Sequence, residues 1–144
     1  MVIGIVGSEA AKFTFTGSKR AYELLQALIN APTVTKVVSG KCHLGGIDIW
    51  AIQVAREVNK PFVEFPPASH DWPSYKKRNL QIVAASDVVH CITVDKLPKD
   101  FKGMTFSRCY HCDSTNHVKS GGCWTMKQAV RRGKQGELHV IENF

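Results

Sequence analysis

Three short segments of the chain combine glycines with small polar residues, and each follows a predicted strand or loop that leads to a helix. The first contains Gly7 and Ser8, the second spans residues 39–48 and the third spans residues 119–125. Glycine lets the backbone approach an anion closely, and a helix that begins there presents unpaired N–H groups and the positive end of its dipole. We therefore expect the second and third segments to meet at one edge of a sheet and to hold a phosphate group between them. For the first segment, a plain turn out of a strand is the alternative.

Candidate ligand-binding residues come from these segments and from the helix that follows the proline-rich loop. Asp48 is expected either to cap a helix or to accept hydrogen bonds from ligand hydroxyls, and His43 is expected to contact a phosphate. Arg78 and Asn79 suit contacts with ribose or phosphate, with a solvated helix face as the alternative. The candidate set is Gly7, Ser8, Ser39, Gly40, His43, Gly45, Gly46, Asp48, Arg78, Asn79, Ser120, Gly121, Gly122 and Thr125.

A second group of residues has side chains that bind soft metals. It consists of Cys109, His111, Cys112, His117 and Cys123. Zinc takes four such ligands in a tetrahedral array, so the cluster is a weak candidate for a structural zinc site. The alternative is a reduced hairpin with buried thiols, because only one pair has the Cys-x-x-Cys spacing. The odd total of five cysteines argues against a disulfide framework.

The composition describes an ordinary globular protein with a basic surface. The formal net charge of +7 favours an anionic partner. Because lysines and arginines form no long run, phosphate binding at a site is favoured over a nucleic-acid track, and a single-stranded nucleic-acid binding protein is the less favoured alternative. The apolar runs are far shorter than the ~20 residues that span a bilayer, and the first residues do not resemble a signal peptide. We expect a cytoplasmic protein that makes no contact with membranes.

Short β-branched runs alternate with helical patterns, which is typical of βαβ units around a parallel sheet. Strands are predicted over residues 2–6, 35–39, 61–65, 87–92 and 138–141. Helices are predicted after a Ser18 cap and over residues 47–58, 75–85 and 125–132. Residues 94–119 break the alternation and are interpreted as an insertion with a β-hairpin. The prediction is a single α/β domain over residues 1–144, a three-layer Rossmann-like open parallel sheet of about five strands with the insertion before the last helix.

The motifs also resemble a known superfamily. The segments Ser39-Gly40 with Gly46-Ile47-Asp48, Arg78-Asn79-Leu80, and Gly121-Gly122-Cys123-Trp124-Thr125 are similar to signatures of the SLOG superfamily, which includes the cytokinin-activating LOG and lysine-decarboxylase-like proteins and the DNA-processing protein DprA. The resemblance covers nearly the whole chain. It implies a pocket for a nucleotide or nucleotide-derived ligand, formed by these loops, usually in a homodimer.

This chain departs from the LOG-type motif at positions that matter for catalysis. LOG-type hydrolases carry a Pro-Gly-Gly-x-Gly-Thr-x-x-Glu motif, where this chain has Ser120, Trp124 and Gln128 in place of the proline, the last glycine and the glutamate. Glutamine cannot serve as a general base. Ligand binding is therefore the preferred function, N-glycosidic phosphoribohydrolase activity is the alternative, and the sequence leaves open whether any reaction is catalysed.

Overall fold

The computed structural model describes residues 1–144, which form a five-stranded parallel sheet between two layers of helices. The elements follow the chain as β1 (Val2–Gly7), a 3₁₀ turn (Ala10–Lys12), α1 (Phe15–Ile29), β2 (Lys36–Gly40), α2 (Ile47–Glu57), β3 (Phe62–Phe65), α3 (Trp72–Ala85), β4 (Val88–Val94), α4 (Gly121–Arg131) and β5 (Gln135–Ile141). The strand order is β3-β2-β1-β4-β5, and all neighbours are parallel. The predicted Rossmann-like α/β class is confirmed.

Each face of the sheet has its own apolar core. Ile3 and Ile5 of β1 point towards α1 and α2, whereas Val38 of β2 and Cys91 of β4 point towards α3 and α4. Successive side chains of a strand alternate between faces, so strands covered on both faces are apolar throughout. Every residue of β4 is buried for this reason.

The order of the strands fixes where a ligand can enter. The chain runs from β1 outwards to β2 and β3, then crosses back to β4 on the other side of β1. The loops that follow β1 and β4 therefore diverge, and in open α/β sheets such a switch point leaves a crevice beyond the carboxyl ends of the strands.

Three helices begin earlier than predicted, because their capping residues lie before the apolar periodicity starts. The predicted Ser18 cap is wrong: α1 begins at Phe15, and the Thr14 hydroxyl accepts a hydrogen bond from the amide of Gly17 at 3.0 Å. Helix α3 begins at Trp72 behind an Asp71 cap. Helix α4 begins at Gly121 rather than Thr125, so its two glycines are the first residues of the helix and not part of a loop.

The remaining differences concern the insertion and the last strand. Between β4 and α4 the chain has no helix or strand, and the expected β-hairpin is reduced to a single antiparallel bridge between Cys109 and Ser114. This polar segment lacks the alternating β-branched residues that would extend a ladder. Strand β5 begins three residues earlier than predicted because its pairing with β4, which starts at Gln135 opposite Val88, sets its start. No helix combines the length and apolar character needed to cross a membrane.

Candidate functional site

A cavity opens at the switch point between β1 and β4. It is a cavity of about 500 Å³, within the range of small-molecule sites. Its wall combines the end of β1, the loop before α2, one face of α3, the insertion and the start of α4. The lining residues are Val6, Gly7, Ser8, Glu9, Lys12, Cys42, Leu44, Asp48, Trp72, Tyr75, Arg78, Asn79, Tyr110, Lys119, Ser120, Gly121 and Gly122.

One end of the cavity is formed by the N-terminus of α4. The Ser120 hydroxyl caps this helix by accepting a hydrogen bond from the Gly122 amide at 3.1 Å. Gly121 lines the cavity, and its N–H has no acceptor among the cap and loop hydrogen bonds. A side chain at Gly121 would meet little besides Trp72 at 3.6 Å, whereas one at Gly122 would press on the amide nitrogen of Gly7 at 3.0 Å. Gly122 thus brings α4 close to β1, and Gly121 leaves an amide and a dipole free for an anion.

The wall of the cavity also contains a buried carboxylate. Asp48 is only 8% exposed, and its Oδ1 has no hydrogen-bond partner. The predicted capping role is wrong, because Gly46 is the N-cap of α2 and no side chain caps that helix. Burial raises the pKa of Asp48 from 3.8 to about 6, an effect that the Arg78 guanidinium partly offsets. A buried carboxylate without a hydrogen-bond partner is costly, and a donor on a bound molecule would offset this cost where Asp48 lines the cavity.

Arg78 is held beside Asp48 by its own neighbours. Its Nε donates to Oδ1 of Asn79 at 2.7 Å, and its Nη1 donates to the carbonyl of Phe65, the last residue of β3, at 3.1 Å. Arg78 and Asn79 are both buried, so the alternative of a solvated helix face is wrong for them. The guanidinium is therefore a fixed cation in the wall of the cavity.

Two lysines add positive charge near the start of α4. Lys12, from the 3₁₀ turn, donates to the carbonyl of Lys119 at 3.3 Å. Burial lowers the pKa of Lys12, while the Glu9 carboxylate acts in the opposite direction. The Lys119 ammonium lies over the ring of Tyr110 at 5.3 Å. No local sequence pattern points to Lys12 as a site residue, since only the fold brings it to this cavity.

Aromatic side chains form the outer wall. Trp72, Tyr75 and Tyr110 line the cavity. Trp72 packs edge-to-face on Trp124 with ring centroids 5.6 Å apart, and Trp72 and Tyr110 are exposed at 39% and 53%. Large rings that remain exposed beside an opening are surfaces on which a planar group can stack.

The structure brings together only part of the predicted set. Of the fourteen candidates, Gly7, Ser8, Asp48, Arg78, Asn79, Ser120, Gly121 and Gly122 line the cavity, whereas Ser39, Gly40, His43, Gly45, Gly46 and Thr125 do not. The buried Ser39 hydroxyl donates to the carbonyl of Ile5, and the Thr125 hydroxyl donates to the carbonyl of Gly121. His43 is exposed and stacks on His70 with centroids 3.9 Å apart.

Two glycines of the second segment, Gly40 and Gly46, give space to neighbouring groups and do not line the cavity. Gly46 has a φ of 90°, and a side chain there would strike the backbone of residues 8–10. The Ile47 amide, at the start of α2, donates to the carbonyl of Ser8 at 3.1 Å. A side chain on Gly40 would collide with the Arg78 guanidinium. These glycines allow the close approach of other groups, so the expected anion cradle on this loop is not formed by them.

Ser8 is also committed to the fold. Its amide donates to the carbonyl of Ile92 at 3.0 Å. Its hydroxyl lies 2.8 Å from that of Thr93, which itself donates to the carbonyl of Val118, so Ser8 is the donor to Thr93. The expectation that the Ser8 N–H is free for a ligand is therefore wrong.

Four of the five predicted metal-binding residues converge. The ligand atoms of Cys109, Cys112, His117 and Cys123 all lie within 4.8 Å of one another. The Cys123 sulfur is 3.8 Å from Nε2 of His117, whose Nδ1 lies 2.5 Å from Oδ1 of Asn116. That contact orients the ring so that Nε2 faces the sulfurs, an arrangement typical of metal-binding histidines.

The thiols of this cluster are crowded. Burial, together with the neighbouring Cys123 and Cys109, raises the pKa of Cys112 to about 12. A hydrogen bond with Cys91, followed by burial, raises the pKa of Cys123. The fifth predicted residue, His111, is outside the cluster, and its ring lies beside Tyr110 with centroids 4.5 Å apart.

The sequence matches no protein-family model and no curated protein. Among solved structures, the fold is similar to that of the molybdenum cofactor carrier protein from Chlamydomonas reinhardtii, with a TM-score of 0.60 and 14% identity, over 95% of this chain and 74% of that chain. At this identity the similarity concerns the fold alone.

Proposed function

We propose that this protein binds a small phosphate-bearing ligand of the nucleotide-derived class in the cavity between β1 and β4. The observation that carries the proposal is the buried Asp48 carboxylate, which makes no hydrogen bond within the chain and lines the same cavity as Gly121 at the start of α4. The helix N-terminus thus suits an anion, and the carboxylate suits a donor such as a ribose hydroxyl or a ring N–H.

The charges of the cavity support this polarity. Lys12 and Lys119 lie near the N-terminus of α4 and reinforce its positive field, while Arg78 lies beside Asp48. A phosphate beside the Gly121 amide would receive a charge-assisted hydrogen bond, which is stronger than a neutral one. A planar base could stack on Trp72 or Tyr110, whose rings line the cavity.

The same proposal includes membership of the SLOG superfamily, which the motifs of this chain resemble. It also includes the homodimer that this resemblance implies. The alternative of LOG-like hydrolysis has weaker support. Gln128, which replaces the motif's glutamate, does not line the cavity, and its Oε1 accepts a hydrogen bond from Arg132 at 2.8 Å. The cavity carboxylates are instead Glu9 and Asp48, on other elements.

The proposal is tested by thermal unfolding with inorganic phosphate, nucleoside monophosphates, ADP-ribose and the molybdenum cofactor as separate probes. A ligand at one hundred times its Kd should stabilise the fold by about 2.7 kcal/mol. For 144 residues, this corresponds to a rise in Tm of about 9 °C. Gly121→Asp places a carboxylate where the anion would lie, in open space at the start of a helix, so it should fold normally and lose the rise.

The matched control is Phe15→Asp, which places the same charge at the first residue of α1, where Phe15 is 81% exposed and outside the cavity. This variant should keep the full rise in Tm. The proposal is overturned if no probe raises the Tm of the native chain, or if Gly121→Asp responds as strongly as Phe15→Asp. Binding that grows with the length of single-stranded DNA and falls steeply with salt would support the nucleic-acid alternative.

We also infer that Cys109, Cys112, His117 and Cys123 bind a structural zinc ion. Three thiolates and one imidazole are a common zinc ligand set, and the metal would offset the cost of bringing three buried sulfurs together. Cys123 lies in the first turn of α4, two residues after Gly121, and Tyr110 lies between two of the ligands. A zinc ion would therefore fix the insertion and the cavity wall to the start of α4.

Metal analysis of protein without an affinity tag tests this inference. Cys112→Ser should lower the zinc content by one ion per chain, whereas Cys42→Ser, which changes a half-buried cysteine outside the cluster, should leave it unchanged. Equal zinc content in the two variants, or none in the native chain after purification in zinc-containing buffer, would contradict it.

A further inference from the structure

Two histidines and a glutamate converge on the opposite side of the sheet from the cysteine cluster. The register of β4 and β5 places His90 opposite Glu137 and Ile92 opposite His139. Because side chains alternate along a strand, all three point to the face that α1 and α2 cover nearer the centre of the sheet. None of them lines the cavity.

The distances between their ligand atoms are those of a metal site. Nδ1 of His90 lies 3.0 Å from Nε2 of His139. Oε2 of Glu137 lies 3.3 Å from the first of these nitrogens and 3.8 Å from the second. Zinc–nitrogen bonds of about 2.0–2.1 Å place neighbouring ligand atoms of a tetrahedral ion roughly 3.3 Å apart. The three atoms therefore surround one point at coordination distance with a small adjustment.

A hydrogen bond between the two imidazoles explains only one of these contacts. A single N–H between the rings can serve one acceptor, yet three atoms with lone pairs face the same point. The side chain of His90 is 8% exposed, whereas those of His139 and Glu137 are 23% and 41% exposed. An ion could therefore reach the site from solvent and keep positions that the protein does not fill.

We propose that His90, Glu137 and His139 form a metal site for a divalent first-row transition ion such as Zn²⁺ or Co²⁺, with at least one coordination position open to water. Two imidazoles and one carboxylate suit such ions, whereas Mg²⁺ and Ca²⁺ prefer oxygen ligands. Three protein ligands with an open position are typical of reactive or exchangeable metal sites, and closed four-ligand sets are typical of structural ones. The chain would thus bind two ions of different character.

The test uses the full chain loaded with one equivalent of Zn²⁺, which fills the tighter cysteine cluster, and then titrated with Co²⁺ alone. The native chain should bind one further Co²⁺, and paramagnetic effects in NMR spectra should be largest for the imidazole resonances of His90 and His139. Loss of outer-sphere partners costs about 10- to 100-fold in metal affinity, so loss of a ligand in His139→Ala should cost at least about 100-fold. His70→Ala removes an exposed histidine outside the triad and should change nothing.

Glu137→Gln, at the most exposed of the three positions, gives a second variant in which the fold is not at risk. It should also weaken the affinity for Co²⁺. The proposal is overturned if the native chain binds no further Co²⁺, or if His139→Ala and Glu137→Gln bind it as tightly as His70→Ala does. Co²⁺ with thiolate absorption bands and unchanged imidazole resonances of His90 and His139 would place the ion in the cysteine cluster and equally overturn it.

Discussion

Asp48→Asn should make this protein more stable at neutral pH. The carboxyl is 8% exposed, its Oδ1 has no partner, and burial raises its pKa from 3.8 to about 6. At 1.36 kcal/mol per pKa unit, this difference of about two units corresponds to about 3 kcal/mol in the free energy of unfolding. Asparagine has the same shape and carries no charge, so it avoids that cost.

The sign of the effect follows from proton binding. The folded chain holds the Asp48 proton up to a higher pH than the unfolded chain does, so the free energy of unfolding of the native chain falls as pH rises from about 4 to about 6. The advantage of Asp48→Asn should therefore be near zero at pH 4 and reach about 3 kcal/mol above pH 6. For 144 residues this amounts to about 10 °C in Tm.

Urea unfolding at pH 4 and pH 7.5, followed by circular dichroism, measures both values. Asp100→Asn is the control, because Asp100 is exposed and should contribute less than about 0.5 kcal/mol. If Asp48→Asn is less stable than the native chain at pH 7.5, the Arg78 guanidinium stabilises the carboxylate fully and the reasoning is refuted. The same variant should respond less than the native chain to a ligand that raises the Tm, because the acceptor would be altered.

Three further substitutions test how the fold positions the site. Gly40→Ala would push a methyl group into the Arg78 guanidinium. Displacing one charge-assisted hydrogen bond should weaken ligand binding at least about tenfold, as measured by calorimetry. An unchanged Kd would contradict the role assigned to Gly40. Asn143→Ala removes four hydrogen bonds, two accepted from Thr14 and two donated to backbone carbonyls. Urea unfolding should therefore show that the free energy of unfolding falls by about 3 kcal/mol. A fall of less than about 1 kcal/mol would show that water replaces these bonds. Lys134→Met leaves three carbonyls at the end of α3 without their ammonium donor and should cost about 2 kcal/mol in the same assay, with Lys134→Arg recovering part of it.

The fold could be predicted from the sequence because each of its elements carries a local pattern. The apolar run of β4 and the helical spacing of Ala21, Leu24, Leu25 and Leu28 in α1 both correspond to residues that pack in or against the core. The first residues of the helices were harder to predict, because several neighbouring polar residues could each cap the helix. In α1 the cap is Thr14 and not Ser18. The Thr14 amide donates a hydrogen bond to Asn143, which lies 129 residues further along the chain.

The site could be predicted only where one segment forms it. Gly121 and Asp48 could be predicted because a glycine pair before a helix, and a carboxylate in its first turn, are local patterns that indicate a binding site. Lys12 and Tyr110 reach the cavity through tertiary contacts that leave no sequence pattern. The triad of His90, Glu137 and His139 depends on the register between two strands, which a single sequence does not specify.

The contact between residues 8–10 and the start of α2 affects how the cavity would bind a ligand. Gly46 admits the backbone of residues 8–10, and the Ile47 amide is already bonded to Ser8. This part of the cavity wall is thus already ordered in the folded chain. Ligand binding would therefore carry no entropic penalty for ordering it. Free and occupied forms should superimpose there, and any adaptation to the ligand's shape would fall on exposed side chains of the outer wall such as Trp72 and Tyr110.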